Sequence, residues 1–460
     1  MKLAIVVQRY GADINGGAEL HARYIAEHLA AHAQVVVLTT CARDYVTWHD
    51  DYPAGAQTVN GIPIQRFPVD RERDVKLFAA RSERVFEQQH SYLDELKWLD
   101  AEGPTSAALI RHIKENRPKV DYFFFFSYRY YHAYHGVRAA AGKAVLVPTA
   151  ERDHAIGLNI FQPIFRGVRA LMYNSPEERR MIQTAARNGD VPGVVVGIGS
   201  EIPPRAQVQA DRFRQKYGIT GRFALYVGRI DQNKGCKELF TYFLQALPAL
   251  PKGLGLVLIG KEILPIPSHP RITHLGFLDD ADKFDALAAA DLLIMPSYYE
   301  SLSMVALEAW ALGKPVLANG NCEVLRGQCI RSRAGLYYDN QAEFVETLHA
   351  IADSRTLNAA LGSNGRAFFN RHYSWPVIEQ KYLDMLERLR ADERVRSKPD
   401  ATMPGRQIEP GPGWFGRRRR ILPPADHVLA ELPSGPVIDS DQSPADAGRH
   451  VPRLNVEAVS

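Results

Sequence analysis

The chain has 460 residues, enough for about three domains, and 46% of them are apolar, enough for large hydrophobic cores. A net charge of +4 is nearly neutral for this length, so bulk charge indicates no nucleic-acid partner. The four cysteines have no metal-ligand spacing and are interpreted as reduced thiols. The first apolar run is too short for a signal peptide, and no run has the roughly 18 apolar residues of a membrane span. We therefore expect a cytoplasmic protein that is soluble or peripheral at the inner membrane face.

The first half of the chain alternates short apolar strands with helices, which is typical of a doubly wound parallel sheet. Strands are predicted at 3–7, 35–38, 63–69, 122–126, 144–147 and 167–174, and helices at 18–30, 82–99 and 176–186. Gly16 and Gly17 stand directly before the first helix, either as a tight turn or as an anion-binding loop. The loop lacks the G-x-G-x-x-G spacing of a dinucleotide site, so a nicotinamide cofactor is not expected.

Two polar loops of this half follow neighbouring predicted strands. The first covers residues 127–132 and the second covers 148–154, with Glu151 and His154. Ligands of open parallel sheets bind at the carboxyl ends of the strands, so both loops are expected to face one cleft. A lone loop histidine is more often solvated, which leaves His154 open as a ligand contact.

The second half begins after Gly197-Ile198-Gly199, which is interpreted as a hinge because prolines rather than a helix follow it. Strands are predicted at 223–227, 256–259, 274–278, 292–295, 316–318 and 335–338, and helices at 238–246, 282–290, 302–312, 343–353 and 373–389. The loop 228–235 after the first of these strands contains Arg229 and Lys234. An arginine and a lysine beside glycines and a helix N-terminus can clamp a diphosphate, the arginine through two parallel hydrogen bonds and the lysine as a point charge.

The stretch from 291 to 318 is predicted to be a strand, a helix and a second strand. Glu300 lies in the loop before the helix and Glu308 lies eight residues later. Ser301 or Ser303 can cap the helix, whose free N–H groups favour a bound anion. Two carboxylates on either side of an anion site suit a sugar nucleotide. The alternative is a surface helix that carries two glutamates by chance.

These residues resemble a known signature. Glu300-x7-Glu308 followed by Gly-Lys-Pro-Val at 313–316, together with Gly-Arg-x4-Lys-Gly at 228–235, resembles the donor site of retaining glycosyltransferases of family 4. The resemblance covers roughly residues 1–390. It implies the GT-B fold, an α/β architecture in which two Rossmann-like domains with doubly wound parallel sheets face a cleft. It also implies three parts: an acceptor-side domain at 1–197, a donor-binding domain at 198–373 and a helix at 374–391 that crosses back. The remaining residues, 392–460, are predicted from their composition to be a disordered tail.

The resemblance also implies roles for individual residues. Many family members have a histidine that contacts the donor sugar, and Glu151 stands where it would fall, so whether Glu151 or His154 replaces it stays open. The candidate catalytic residues are Glu300, Arg229, Lys234 and Glu151; the donor-binding candidates are Glu308, Gly228, Ser301, Leu302, Ser303, Gly276 and Phe277; the candidates for an acceptor or phosphate loop are Gly16, Gly17 and His154.

The activity implied is metal-independent, retaining transfer of a sugar from a nucleotide donor to a hydroxyl of a glycan, lipid or small molecule. No cofactor is expected, because cationic side chains supply the charge that a metal would otherwise provide. The alternatives are a catalytically silent homologue that acts as a scaffold and a GT-B sugar-nucleotide epimerase. A phosphorylase would need a pyridoxal-binding lysine, and no motif suggests one. The sugar, the base and the acceptor are not indicated.

The proline-rich residues from 392 onward show no sustained apolar periodicity, which is typical of disorder. They contain the basic run Arg417, Arg418, Arg419 and Arg420 after two aromatic residues. This run is interpreted as a disordered basic linker, with weak contact to an anionic membrane surface as the alternative.

Overall fold

The computed structural model describes residues 1–14, 16–250, 253–396 and 421–438. The strands of the first half are β1 (Lys2–Val6), β2 (Gln34–Thr40), β3 (Gly55–Val59), β4 (Ile62–Phe67), β5 (His90–Ser91), β6 (Tyr122–Phe126), β7 (Ala144–Val147), β8 (Ala170–Tyr173) and β9 (Gly193–Val195). Its helices are α1 (Gly17–Leu29), α2 (Val75–Glu87), α3 (Tyr92–Glu102), α4 (Ala107–Asn116), α5 (Tyr131–Ala139), α6 (Gln162–Gly167) and α7 (Pro176–Ala186).

Eight of these strands form one sheet in the order β3-β4-β2-β1-β6-β7-β8-β9. Every pairing is parallel except the edge hairpin between β3 and β4. All residues of β6, β7 and β8 are buried, as expected of central parallel strands whose two faces are covered by helices.

A second, wholly parallel sheet follows, with the order β12-β11-β10-β13-β14-β15. Its elements are α8 (Ala210–Tyr217), β10 (Phe223–Val227), α9 (Cys236–Ala246), β11 (Gly255–Ile259), β12 (Ile272–His274), α10 (Asp280–Ala289), β13 (Leu292–Met295), α11 (Met304–Ala311), β14 (Val316–Asn319), α12 (Glu323–Ser332), β15 (Gly335–Tyr338), α13 (Gln341–Asp353), α14 (Arg355–His372) and α15 (Trp375–Arg396). The predicted architecture of two doubly wound parallel-sheet domains is confirmed.

Two predicted elements of the sheet domains are wrong in extent. The single helix predicted at 82–99 is two helices, because Ser91 and Asp94 form a reciprocal capping box that starts α3 anew. The strand predicted at 274–278 ends at His274, because Gly276 adopts a φ of +72° in a loop. This loop leaves Phe277 70% exposed.

The chain crosses between the domains at two adjacent places. At the first crossing, a Cβ atom on Gly197 would come within 2.5 Å of the Tyr373 ring, and one on Gly199 would come within 2.7 Å of Trp375. Tyr373 and Trp375 belong to the second crossing. The glycines therefore allow the two crossing segments to pack directly against each other.

Helix α15 returns to the first domain and packs against α1. Trp375 stacks on His28 of α1 with ring centroids 3.6 Å apart, and Glu379 accepts a hydrogen bond from the same imidazole. Further along α15, the fully buried Tyr382 lies 6.0 Å from the ring of Phe124 in β6. This helix therefore forms part of the core of the first domain.

The prediction of a disordered tail over 392–460 is wrong for residues 392–396, where α15 continues beyond its predicted end, and for residues 421–438. Strand β16 (Ile421–Leu422) pairs antiparallel with β5, and helix α16 (Ala425–Glu431) follows it. Ala425 and Leu432 are buried against the first domain. This segment docks largely through its backbone and a few apolar side chains, so it has no periodic pattern to detect. Arg417 to Arg420 lie outside the described residues.

Among the described residues, none of the helices combines the length and the apolar character that crossing a membrane requires.

Replacing Tyr382 tests the packing of α15. We expect Tyr382→Ala to lower the free energy of unfolding by about 3–5 kcal/mol, because it empties a buried aromatic position. Tyr382→Phe keeps the ring and should cost about 1 kcal/mol or less. Urea denaturation measures both variants, and a loss below about 1 kcal/mol for Tyr382→Ala would contradict the packing described.

Candidate active site between the two domains

The loop between β10 and α9 brings a lysine to the domain interface. Gly235 caps α9 with a φ of +72°, and a Cβ atom there would lie 2.0 Å from the carbonyl oxygen of Pro296. Only glycine combines this backbone conformation with such a close approach. The loop can therefore pack directly against the segment after β13, which carries Glu300.

Lys234 and Glu300 form the central ion pair of this interface. The Nζ atom of Lys234 lies 2.7 Å from Oε1 of Glu300, and both side chains are largely shielded from solvent. Burial lowers the pKa of Lys234, but the charges of Glu300 and then Glu151 outweigh this effect and raise the pKa above its ordinary value. The lysine is therefore held in its charged form.

Arg229 lies on the same loop and has a carboxylate partner of its own. Its Nε atom donates to Asp231, and its side chain is 52% exposed. Asp231 also accepts a hydrogen bond of 2.8 Å from the backbone N–H of Lys234, so it shapes the loop. Sequence reasoning missed Asp231, although it stands inside the motif between the two basic residues.

Glu151 approaches this pair from the first domain, in the loop after β7. Burial, and then the neighbouring charge of Glu300, raise the pKa of Glu151 to about 7, while Lys234 opposes the shift. The structure thus brings together three of the four predicted catalytic residues, Glu151, Lys234 and Glu300, across the cleft. At neutral pH the Glu151 carboxyl is divided between its two protonation states, so it can donate or accept a hydrogen bond.

The loop that carries Glu151 is also held by Glu178, which is buried. Glu178 of α7 accepts hydrogen bonds from the backbone N–H groups of Ala150 and Asn174. The amide of Asn174 in turn donates to Ser301 Oγ of the second domain at 3.3 Å. Burial raises the pKa of Glu178 to about 8, although these hydrogen bonds oppose the shift. No sequence pattern pointed to Glu178 or Asn174.

Helix α11 places Glu308 deep in the interface. Ser303 caps the helix by accepting from the N–H of Ala306 at 3.2 Å. Glu308 is 3% exposed, and its Oε1 accepts from Lys283 Nζ and Ser200 Oγ, each at 3.0 Å. Its Oε2 atom is buried and has no hydrogen-bond partner among the described residues. A buried carboxylate oxygen without a partner is costly, so it is a fitting acceptor for a ligand hydroxyl.

A small cavity of about 70 Å³ lies beside the ion pair. Ala150 and Glu178 line it from the first domain, and Tyr298, Glu300 and Cys322 line it from the second. Both domains therefore contribute to one site. Within the described ranges, no cluster of three or more His, Cys, Asp or Glu side chains has the arrangement of a metal site.

The structure also shows the surroundings of three further predicted positions. His154 donates through Nδ1 to the carboxylate of Asp426 in the C-terminal segment and stacks on Phe86, so its imidazole is engaged away from the Lys234–Glu300 pair. Leu302 is buried in the core rather than exposed to a ligand. Phe277 is exposed after the loop at Gly276, as a residue that stacks on a ligand would be.

An ion pair that the sequence did not indicate lies at the predicted acceptor loop, between Arg9 and Glu19 of α1. Gly16 caps α1 without a side-chain hydrogen bond, and a Cβ atom there would lie 2.3 Å from the carboxylate of Glu19. Glu19 is buried and pairs with Arg9 at 2.6 Å. Gly17 has open space where a side chain would stand.

The raised pKa of Glu151 predicts a pH-dependent stability. Its pKa in the folded protein lies above the ordinary value of 4.5, so the folded state holds an extra proton between about pH 4.5 and 7. The contribution of this group to stability therefore falls as the pH rises through that window. We therefore compare the free energy of unfolding of Glu151→Gln with that of wild type. This difference should rise in favour of Glu151→Gln by about 1–3 kcal/mol when the pH is raised from 5 to 8. Parallel unfolding curves measure this gain.

Glu346→Gln, at an exposed position of α13, controls for the loss of a surface carboxylate. A difference between Glu151→Gln and wild type that is the same at pH 5 and pH 8 would contradict the burial of this carboxyl.

Known proteins resemble the second domain in sequence and most of the chain in fold. Residues 221–354 match the family model of the Glycosyl transferases group 1. A GDP-mannose-dependent monoacylated alpha-(1-6)-phosphatidylinositol monomannoside mannosyltransferase of Corynebacterium glutamicum is 26% identical over 192 residues, which cover 38% of this chain and 50% of that protein. The chain spans about half of the length of the curated relatives it matches.

Solved structures extend the likeness to both domains. Sucrose-phosphate synthase from Thermosynechococcus elongatus superposes with a TM-score of 0.62 at 16% identity, covering 85% of this chain and 99% of that one. Anabaena HepE, solved in complex with UDP-glucose, superposes with a TM-score of 0.59 at 15% identity, covering 84% and 99%. The resemblance to group 1 glycosyltransferases with the GT-B fold is therefore confirmed, by the family model in the second domain and by the fold over most of the chain.

Proposed function

We propose that the chain is a retaining glycosyltransferase that moves a sugar from a nucleotide sugar to an acceptor hydroxyl without a metal ion. The observation that carries the proposal is the meeting of Lys234, Glu300 and Glu151 at the domain interface, within hydrogen-bonding or electrostatic reach of one another. The match of residues 221–354 to the group 1 model supports the same activity.

The leaving group of such a reaction is a nucleoside diphosphate, whose negative charge grows in the transition state. Arg229 and Lys234 provide positive charge for it, and the N-terminus of α11 provides free backbone N–H groups. Both cations are paired with carboxylates in the structure. Bound phosphates would take over part of these contacts, so no metal is needed to balance their charge.

The two glutamates of the central motif take different parts of the donor. We assign the ribose hydroxyls to the unpartnered, buried Oε2 of Glu308. Glu300 lies next to Lys234 and faces Glu151, so we assign it to the hydroxyls of the transferred sugar. Glu151 then supplies the sugar contact that a histidine makes in many family members.

Thermal-shift and nucleotide-release measurements test this function. UDP-glucose and GDP-mannose are the first probes, because these donors occur in the names of similar proteins. We expect one sugar nucleotide to raise the melting temperature, and the same donor to release its nucleotide on transfer or slow hydrolysis, also in excess EDTA. A binding-only homologue would be stabilised without release. Loss of release in EDTA, restored by manganese or magnesium, would contradict metal independence.

Removal of either phosphate-binding cation should slow turnover. We expect Lys234→Ala and Arg229→Ala to lower kcat. Each variant should lose about 2–4 kcal/mol of transition-state stabilisation, the scale of one lost oxyanion donor. Lys237→Ala changes an exposed lysine in the first turn of α9, and this variant should turn over like wild type. Steady-state rates at saturating donor measure the effect, and near-wild-type rates in both cleft variants would rule out the assignment.

The two glutamates should separate kinetically. Glu308→Gln weakens a charge-assisted hydrogen bond to the ribose, worth about 1.5–3 kcal/mol, and should mainly raise the donor KM. Glu300→Gln acts at the reacting sugar and should lower kcat more than it raises KM. Identical behaviour of the two variants, in steady-state kinetics with the donor found by thermal shift, would contradict this division of roles.

A further inference from the structure

The C-terminal segment 421–438, which we call the strap, runs from the first domain to the domain interface. We propose that the strap positions Glu151 by holding Arg152, the residue that follows it in the chain. The effect on catalysis rests on the proposed function, whereas the effect on the loop itself does not.

Arg152 is bound by three backbone carbonyl groups of the strap. Its Nη1 atom donates to the carbonyl oxygen of Pro433 at 2.9 Å, and its Nη2 atom donates to those of Leu429 and Leu432 at 3.1 Å each. Leu429 lies in the last turn of α16, and its carbonyl oxygen also accepts from the N–H of Leu432; Leu432 and Pro433 follow the helix directly. The guanidinium of Arg152 therefore donates hydrogen bonds to carbonyl groups at the end of α16, and these carbonyl groups hold the guanidinium in place.

The strap is fixed to the first domain upstream of these carbonyls. Strand β16 pairs with β5, and Asp426 pairs with His154. A Cβ atom on Gly157 would lie 2.3 Å from the carbonyl oxygen of Ala425, so the two backbones are in close contact. The φ angle of Gly157 is not positive, so its backbone conformation does not require glycine. A side chain at this position would instead disturb the contact with the strap.

The other end of the strap reaches a bridge between the domains. Glu177 of α7 and Arg331 of α12 form a buried ion pair. Val437 joins it from the strap, donating its N–H to Glu177 at 2.9 Å and accepting from Arg331 with its carbonyl oxygen. The strap is therefore held at both ends while Arg152 binds its middle.

The loop that carries Glu151 is consequently held from two sides. Glu178 holds Ala150 through its backbone N–H, and the strap holds Arg152 through its guanidinium. Arg152 also lies 3.6 Å from Glu323 of the second domain. Fixing the residues on either side of Glu151 restricts where its carboxyl group stands relative to Glu300, and a misplacement of about 1 Å can cost 100-fold in rate.

Two variants of the full-length chain test this positioning. Gly157→Ala pushes the strap away without touching the cleft, and Arg152→Gln removes the guanidinium while leaving the strap in place. Gly189→Ala is the matched control, because a Cβ atom there meets nothing within 4 Å. Hydrogen–deuterium exchange of the peptide that spans 149–153 measures the order of the loop without any substrate.

We expect faster exchange of this peptide in Gly157→Ala and Arg152→Gln, and wild-type exchange in Gly189→Ala. With UDP-glucose or GDP-mannose as donor, whichever wild type uses, the first two variants should lose about 10- to 100-fold in kcat with little change in donor KM, and their pH–rate profile near pH 7 should shift.

Unchanged exchange of 149–153 in both variants would overturn the proposal, as would an unchanged kcat in an active enzyme. If wild type uses no sugar nucleotide, the proposed function fails, and the exchange measurement alone still decides whether the strap orders the Glu151 loop.

Discussion

The site depends on the ion pair between Lys234 and Glu300. A buried pair repays its desolvation only when its geometry is good and its neighbours complete it. Here the close contact of Gly235 with Pro296 sets the distance between the two loops, and Asp231 holds the backbone of Lys234. Burial raises the pKa of Glu151, and the same pair adjusts it further, because Glu300 raises this pKa and Lys234 lowers it. A change in any of these contacts would therefore alter the charge state of the whole cleft.

The balance of charge explains how such a site can accept an anionic donor. Carboxylates outnumber cations around the pair, and two of them, Glu151 and Glu178, have raised pKa values. On the proposed function, a diphosphate that contacts Lys234 and Arg229 would compete with Glu300 and Asp231 for the same cations. Glu300 would then be released to accept from sugar hydroxyls, so phosphate binding and sugar binding reinforce each other.

The sequence predicted well what is local or buried on both faces. The strands 122–126, 144–147, 223–227 and 292–295 have the predicted bounds, because continuous apolar runs between turns leave little choice of structure. Arg229, Lys234, Glu300 and Glu308 were selected as candidates because glycines and helix starts surround them in the sequence. The break between α2 and α3 was missed because a capping box of two polar residues outweighs a continuing apolar pattern.

Contacts between distant residues left no such trace. Glu308 meets Ser200 from 108 positions away, and Arg152 meets the strap from more than 270. The partners of Arg152 in the strap are backbone carbonyl groups, which every residue type provides. No pattern of side chains in the sequence can therefore predict this contact. The contact of His154 with Asp426 was not predicted for the same reason, because Asp426 lies in a segment that looked unstructured.

The strap also changes what relative motion of the two domains would require. The two chain crossings at Gly197 and Tyr373 lie against each other, and adjacent crossings leave a rotation between the domains as the easiest motion. The bridge of Glu177, Arg331 and Val437 is a separate tie between the domains. Rotation that opens the cleft must break this buried ion pair or carry the strap with it. If the strap positions Glu151 through Arg152 as proposed, opening of the cleft would also displace the loop that carries Glu151.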